Sequence, residues 1–168
     1  MLIQTEVEIG IYTLENHQKL NNELKKIILE FRKKYPKTDH SNVKAWHSHF
    51  DAHHKEPRFK ILIDKIIDKA FGFMQANYDL RLNNFWVMEY EKGNYAVRHN
   101  HWPSTLSAVY YIDVEENSSP IIFDNDIKIQ PKNGMLLIFP SVTKHEVPPT
   151  NGKRTVASCN MMAGIFTS

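Results

Sequence analysis

The sequence predicts a mostly β (α+β) fold, an antiparallel barrel or jelly roll buttressed by N-terminal helices. Three observations carry this prediction. Two stretches with helical periodicity precede residue 84, eight short runs rich in Val, Ile, Tyr and Phe follow it, and turn residues separate those runs. Many short strands at such spacing are typical of antiparallel barrels and jelly rolls, and the helices would pack against one sheet.

Two amphipathic helices are predicted in the N-terminal half, after a short apolar alternation over residues 7–11. The first helix spans 15–35 and ends at Pro36. The second opens at Pro57, and its charged residues occupy the face opposite the apolar stripe. The stripes comprise Leu20, Leu24, Ile27, Ile28 and Phe31 in the first helix and Phe59, Leu62, Ile63, Ile66, Ile67, Ala70, Phe71 and Met74 in the second.

Short alternating runs in the C-terminal half predict eight strands. They lie near 85–91, 95–99, 105–114, 120–123, 127–130, 135–139, 145–147 and 153–162. At 168 residues the chain is long enough to close a core without disulfides. We therefore expect one domain, 1–168, in which residues 1–83 form a helical support and residues 84–162 the β core.

The composition restricts the function without naming it. Hydrophobic residues make up 42% of the chain and charged residues 24%, with a formal net charge of +2, as in an ordinary globular protein. The basic residues are spread along the chain, so neither nucleic acid nor a membrane is indicated as a partner. Cys159 is the only cysteine, which excludes an intramolecular disulfide and a Cys-x-x-Cys zinc site. Since the N-terminus lacks a signal-peptide pattern, we expect a cytoplasmic protein.

Histidines at the ends of two predicted strands point to metal chemistry. His99 and His101 stand two positions apart in VRHNHWP, and the two-residue period of a strand turns both imidazoles to one face. His145 follows the apolar run MLLIFP, from which the chain can return to the same barrel mouth. Three ligands on one face of an iron leave positions open for a bidentate cosubstrate and oxygen. The sequence therefore predicts a metal site at His99, His101 and His145.

A basic residue follows the distal histidine on the last predicted strand. Alternation along KRTVASCN places Arg154, Val156, Ser158 and Asn160 on one face. An arginine directed into a barrel needs an anion. A dicarboxylate cosubstrate would supply one.

Together these motifs resemble the 2-oxoglutarate and iron(II)-dependent dioxygenases, especially those of the prolyl-hydroxylase type. That family has, in order, a tyrosine strand, His-x-Asp, a strand ending in tyrosine, a distal histidine and a basic residue. EYEKGNYAVRHNH, LSAVYYID and KHEVPPTNGKR match this order within residues 84–162. The chain also resembles a group of oxygenases whose proximal motif reads His-x-His and whose N-terminal passage ends in a Trp-His-Ser-like turn, here Trp46, His47 and Ser48.

The resemblance implies a double-stranded β-helix of the jelly-roll or cupin type, with Fe(II) and 2-oxoglutarate as cofactors. It implies a hydroxylase that couples decarboxylation of 2-oxoglutarate to succinate with oxidation of a substrate. His99 and His145 fall on the family's histidine ligands, and Arg154 on the residue that pairs with the distal carboxylate of 2-oxoglutarate. The other residues expected to contact the cosubstrate are Tyr111, Tyr90, Ser158 and Asn160.

His101 departs from the family pattern, which has aspartate at this position. Its spacing favours a true third ligand. A carboxylate from elsewhere, such as Asp124 or Asp126, would be a second solution. In a third interpretation, His99 and His145 alone hold the metal together with a solvent ligand, or the domain has lost its catalysis.

Two other functions stay open at this stage. A three-histidine cupin-type oxygenase would not use 2-oxoglutarate, and it would need Arg154 only for an anionic substrate. A non-catalytic barrel would bind a partner and keep its histidines for structure. The substrate is not predicted, although segments 40–56 and 92–104 flank the expected mouth and Trp102 could wall the pocket. We interpret a dense histidine group as surface or lid residues and leave it out of the metal site: His47, His49, His53 and His54.

Overall fold

The structure, a computed structural model, describes residues 7–37, 42–74 and 79–164. Its helices are α1 His17–Lys34, α2 Ala52–Lys55 and α3 Lys60–Met74, and a 3-10 turn, Pro57–Phe59, leads into α3. Its strands are β1 Gly10–Thr13, β2 Val43–Lys44, β3 Trp46–His47, β4 Asp79–Tyr90, β5 Tyr95–His99, β6 Leu106–Val114, β7 Ile121–Phe123, β8 Lys128–Ile129, β9 Met135–Pro140, β10 His145–Val147 and β11 Arg154–Gly164.

Two antiparallel sheets form the body of the fold. The larger has six strands in the order β1-β9-β6-β11-β4-β3, and the smaller has five in the order β2-β5-β10-β7-β8. Side chains from both sheets meet in one apolar cluster, which includes Met88 and Val109 from the larger sheet and Phe123 and Val147 from the smaller. Two facing antiparallel sheets confirm the predicted jelly-roll class.

The outer face of the larger sheet packs against the helices, as the helical periodicity predicted. Alternation along β6 divides its side chains between two cores. Tyr110 and Ile112 join the core shared with α1 and α3, whereas Val109 and Tyr111 point between the sheets. A buried polar link fixes α1 on this face: Asn21 donates to the Ile112 carbonyl at 2.7 Å and accepts the Tyr110 hydroxyl proton at 2.6 Å.

The structure corrects the predicted bounds near the middle of the chain. β4 begins at Asp79, whereas the apolar pattern placed its start near residue 85. β2 and β3 lie between the two predicted helices, where no strand was predicted. Each has two residues, too few to show a two-residue period. None of the described helices is long and apolar enough to cross a membrane.

Candidate active site

Three histidines converge at the edge where β5 and β10 pair. His99 is the last residue of β5, His145 is the first of β10, and the two are direct partners in the ladder. Their ring centroids lie 4.5 Å apart, and the ring of His101 lies 4.9 Å from that of His99 and 5.1 Å from that of His145. One potential ligand atom from each lies within 4.8 Å of the others. The three imidazoles are therefore close enough to one another to be candidate ligands of a single ion.

Backbone carbonyls orient two of these rings. The Nδ1 of His99 lies 2.7 Å from the Val97 carbonyl, and the Nδ1 of His145 lies 3.1 Å from the Thr143 carbonyl. A carbonyl can only accept, so each Nδ1 carries the proton and each Nε2 keeps its lone pair for a metal.

Burial also keeps the site in the protonation state that a metal requires. Burial, with the neighbouring His145 and His99, lowers the pKa of His101 to about 3. Burial and His99 lower the pKa of His145 to about 4. Neutral imidazoles at physiological pH are the form that binds metal.

His101 reaches the site for a different reason from the predicted one. β5 ends at His99, so the strand period does not place His101. Instead, its backbone N–H donates to the Ser141 carbonyl at 2.8 Å, next to the loop that leads to β10. This bond brings the chain back towards His145.

The structure gives Asp124 another role than that of a ligand. Its carboxylate accepts hydrogen bonds from Arg98 at 2.6 Å and from the backbone N–H of Lys144 at 3.0 Å. It therefore ties together the residues that precede His99 and His145. Asp126 is exposed in the same turn. Among the described residues, the only set of three or more potential metal ligands within reach of one another is the histidine triad.

A cavity of about 450 Å³ opens between the sheets over this triad. One wall is formed by the inward-facing residues of β4 and β11, which pair in register: Tyr90 with Arg154 and Trp86 with Ser158. Tyr111 from β6 lies beside them. The cavity thus runs from the histidines to a buried arginine.

Arg154 is an uncompensated buried cation within the described part of the chain. It is 3% exposed, and none of the described ion pairs involves it. One Nη donates to the Ser119 carbonyl at 2.7 Å, and the guanidinium lies 4.6 Å from the centroid of the Tyr90 ring. Its Nε is buried without a partner. A buried guanidinium with a free N–H is complementary to a carboxylate.

Two tyrosines next to Arg154 remain neutral donors. Burial raises the pKa of Tyr90 and raises that of Tyr111 to about 12. Both hydroxyls therefore keep their protons at neutral pH. The Tyr90 hydroxyl donates to the Met88 sulfur at 3.6 Å, and the Tyr111 hydroxyl could donate to an anion bound at Arg154.

The cavity also contains the remaining residues expected to contact the cosubstrate or to wall the pocket. Ser158 and Asn160 line it, and Trp102 lies at its rim with 73% of its surface exposed. The prediction that His47 belongs to the surface or a lid was wrong: it is 3% exposed, lines the cavity and stacks on Trp86. His54 is exposed, whereas His49 and His53 are half-buried.

Sequence reasoning did not name Asn84 or Trp86 as lining residues, and it placed Phe50 only within segment 40–56, which was expected to flank the mouth. Trp86 could have been found, because it alternates with Met88 and Tyr90 along the same strand. Phe50 follows the short strand β3, where no residue period could single it out within that segment.

Comparison with protein families decides among the chemistries that this site allows. Residues 40–162 match the family model of the 2OG-Fe(II) oxygenase superfamily. The chain belongs to this superfamily. It is therefore an oxidoreductase that uses Fe(II) and 2-oxoglutarate, and the donor set fits both: three imidazoles for the metal and, for a carboxylate, a buried arginine whose Nε has no partner among the described residues.

Solved structures of this 2OG-Fe(II) oxygenase fold are similar over nearly the whole chain. A viral collagen prolyl hydroxylase from Paramecium bursaria Chlorella virus-1, solved with 2-oxoglutarate, is 16% identical with a TM-score of 0.65, covering 91% of this chain and 94% of that one. A prolyl hydroxylase from Trichoplax adhaerens, solved with a peptide fragment of hypoxia inducible factor, is 15% identical with a TM-score of 0.71, covering 92% and 83%.

HygX from Streptomyces hygroscopicus, solved with nickel and 2-oxoglutarate, is 11% identical with a TM-score of 0.71, covering 96% of this chain and 84% of that one. At such identities the likeness establishes the fold. Comparison with curated protein sequences gave no significant match.

Proposed function

We propose that this oxygenase is a hydroxylase whose iron is held by His99, His101 and His145 and whose 2-oxoglutarate is held by Arg154. The observation that carries the proposal is the buried Nε of Arg154, which has no partner among the described residues. An unpaired buried cation is costly unless a ligand compensates it. A three-histidine oxygenase without 2-oxoglutarate would need this cation only if its own substrate were anionic.

The chain's own residues bind and orient the reactants. Arg154 and the Tyr111 hydroxyl would hold the distal carboxylate of 2-oxoglutarate, while the other end of the cosubstrate faces the triad. Bound iron with 2-oxoglutarate supplies the oxidation of a C–H bond by O₂, coupled to formation of succinate and CO₂. Met88, Val109 and Val156 line the cavity between the sheets and would exclude bulk water from the cosubstrate.

The proposal assigns His101 as a neutral third ligand in place of a carboxylate. The support is its ring position within the triad and the engagement of Asp124 with Arg98 and Lys144. We further propose that residues 1–168 form one domain. The single thiol, Cys159, is buried and unpaired, which supports a cytoplasmic location.

Succinate formation tests the proposed function directly. Purified protein supplied with Fe(II), ascorbate, O₂ and 2-oxoglutarate should form succinate slowly without a substrate, and omission of Fe(II) should abolish it. His145→Ala should lose both stoichiometric iron binding and turnover, because two histidines form a weak chelate. His54→Ala, which removes an exposed imidazole, is the matched control and should retain both. Full iron binding by His145→Ala would refute the assignment.

A further inference from the structure

The cavity wall has a second unsatisfied end, opposite Arg154. Along β11 the inward-facing row runs from Arg154 to Asn160, and β4 contributes the paired row from Tyr90 to Asn84. Six residue steps in a strand correspond to roughly 20 Å. The pair formed by Asn84 and Asn160 therefore lies far from the site proposed for the distal carboxylate of the cosubstrate.

The two asparagines present complementary free groups. The Oδ1 of Asn84 is buried and has no hydrogen-bond partner among the described residues. Asn160 is 5% exposed, and its Oδ1 accepts from the Ser107 hydroxyl at 2.7 Å. This bond leaves the Nδ2 end of the Asn160 amide available to a ligand.

A hydroxyl relay fixes the orientation of Asn160. Ser107 also lies 2.8 Å from the hydroxyl of Ser141, so Ser141 can donate to Ser107 while Ser107 donates to Asn160. The carbonyl of the same Ser141 accepts the backbone N–H of His101. The polar end of the cavity is thus built onto the segment that positions the third histidine.

An aromatic surface connects this end to the metal site. Trp86 lies between Asn84 and Met88 on the inward face of β4, is 3% exposed, and has its ring 5.5 Å from that of His101. Phe50 packs edge-on against it at 5.0 Å. Histidines and tyrosines aside, Arg154 is the only ionisable side chain among the described lining residues. A charged group at the asparagine end would lose its hydration without gaining a counter-charge.

We infer that Asn84 and Asn160 are the substrate-recognition pair, and that the substrate presents to them a neutral amide joined to an apolar or aromatic portion that lies on Trp86. An amide offers one N–H to the Asn84 oxygen and one carbonyl to the Asn160 nitrogen. This inference rests on the proposed function, and it assigns Asn160 to the substrate, where the sequence suggested the cosubstrate.

Four compounds of similar shape test the inference on the anaerobic protein loaded with Fe(II) and saturated with 2-oxoglutarate. They are 3-phenylpropanamide, 3-phenylpropanoate, 3-phenylpropylamine and 4-phenyl-2-butanone, and binding is followed by perturbation of the visible charge-transfer band. Saturation with 2-oxoglutarate keeps the carboxylate compound away from Arg154. The amide should bind at least about tenfold more tightly than the other three, because a site that hydrogen-bonds a polar group rejects analogues that leave its own groups unpaired.

Two asparagine substitutions test whether the preference for the amide compound arises at Asn84. Asn84→Leu, which is nearly isosteric, should reduce amide affinity about fivefold to tenfold, the value of one hydrogen bond, while leaving 2-oxoglutarate affinity unchanged. Asn22→Leu makes the same chemical change on the exposed face of α1 and should change neither. If Asn84→Leu fails to fold, the selectivity of the unmodified protein among the four compounds still decides.

Failure of the proposed function and failure of the substrate inference give different results. Absence of the charge-transfer band with 2-oxoglutarate alone would refute the proposed function, and with it this inference. A normal band with equal binding of all four compounds, binding of none, or preference for a charged one would refute the inference alone.

Discussion

Replacing Arg154 with methionine should separate cosubstrate binding from folding. Methionine fills a similar elongated space without a charge. Removing one partner of a buried charge pair costs roughly 2–5 kcal/mol. The affinity for 2-oxoglutarate should therefore fall by a factor of between about 30 and several thousand. Iron affinity should be retained, because Arg154 lies on β11, whereas His99 and His145 lie on β5 and β10 and His101 follows β5.

The stability of the protein without cosubstrate should change little. The variant loses the hydrogen bond to the Ser119 carbonyl and the contact with the Tyr90 ring, together about 2–4 kcal/mol. It also removes a buried cation with an unpartnered Nε, and replacing such a charge with an apolar group stabilises by about 1–4 kcal/mol. The two effects are of similar size, so we expect a net change within about 1 kcal/mol.

Two measurements check this pair of expectations. Anaerobic titration of 2-oxoglutarate into the Fe(II) protein gives the affinity, and urea unfolding of the ligand-free protein gives the stability. Lys153→Met, which removes the neighbouring cation with 63% of its side chain exposed, should leave both almost unchanged. Unaltered 2-oxoglutarate affinity in Arg154→Met, with a loss of stability above about 3 kcal/mol, would show that the arginine is structural.

Three further perturbations test the site and its support. His101→Asp should preserve or strengthen iron binding, since a carboxylate suits the same position; complete unfolding, seen by circular dichroism, would instead identify a structural histidine. Asn21→Ala should lower the free energy of unfolding by about 2–4 kcal/mol, because the buried Tyr110 hydroxyl and Ile112 carbonyl both lose their partner; a urea-unfolding loss below about 1 kcal/mol would contradict this. The metal-free protein should lose stability as the pH falls from about 6.5 towards 4. In the folded protein the pKa values of His101 and His145 are lowered to about 3 and about 4, so over this pH range the same histidines bind protons in the unfolded chain before they do so in the folded protein. Urea unfolding across this range should give a flatter profile when both are replaced by asparagine, and identical profiles would argue against the buried neutral state.

Long strands made much of the cavity wall predictable from the sequence. β4 and β11 have 12 and 11 residues, enough repeats for alternation to fix which side chains point inward. Alternation predicted that Arg154, Val156, Ser158 and Asn160 share one face, whereas the resemblance to the 2-oxoglutarate-dependent dioxygenases implied that Tyr90 and Tyr111 join Arg154 in one pocket. The three residues do line one cavity.

Short elements and turns explain what the sequence did not reveal. His47 lies on a strand of two residues, where no period can be read, so its burial against Trp86 depends on tertiary packing alone. His101 lies beyond the end of β5, and a hydrogen bond to a residue 40 positions later, Ser141, brings it to the site. Asp124 was an alternative third ligand, less favoured than His101, and only the positions of Arg98 and Lys144 show that its carboxylate is already engaged.

Asparagine is disfavoured in strands because its side chain competes for the backbone, yet Asn84 and Asn160 are directly paired on β4 and β11. A pairing chosen for stability would place apolar or mutually bonded side chains there. Instead, the oxygen of Asn84 is buried and has no hydrogen-bond partner in the described part of the chain. Residues that are unfavourable for their local structure, and that gain no compensating contact within the fold, are expected at functional sites. Arg154 is a similar exception at the opposite end of the same wall, and Trp86, whose ring lies 5.5 Å from that of His101, stands between the two ends. The two unsatisfied ends therefore divide the cavity by chemistry, with an anionic cosubstrate at one end and a neutral, hydrogen-bonding substrate at the other.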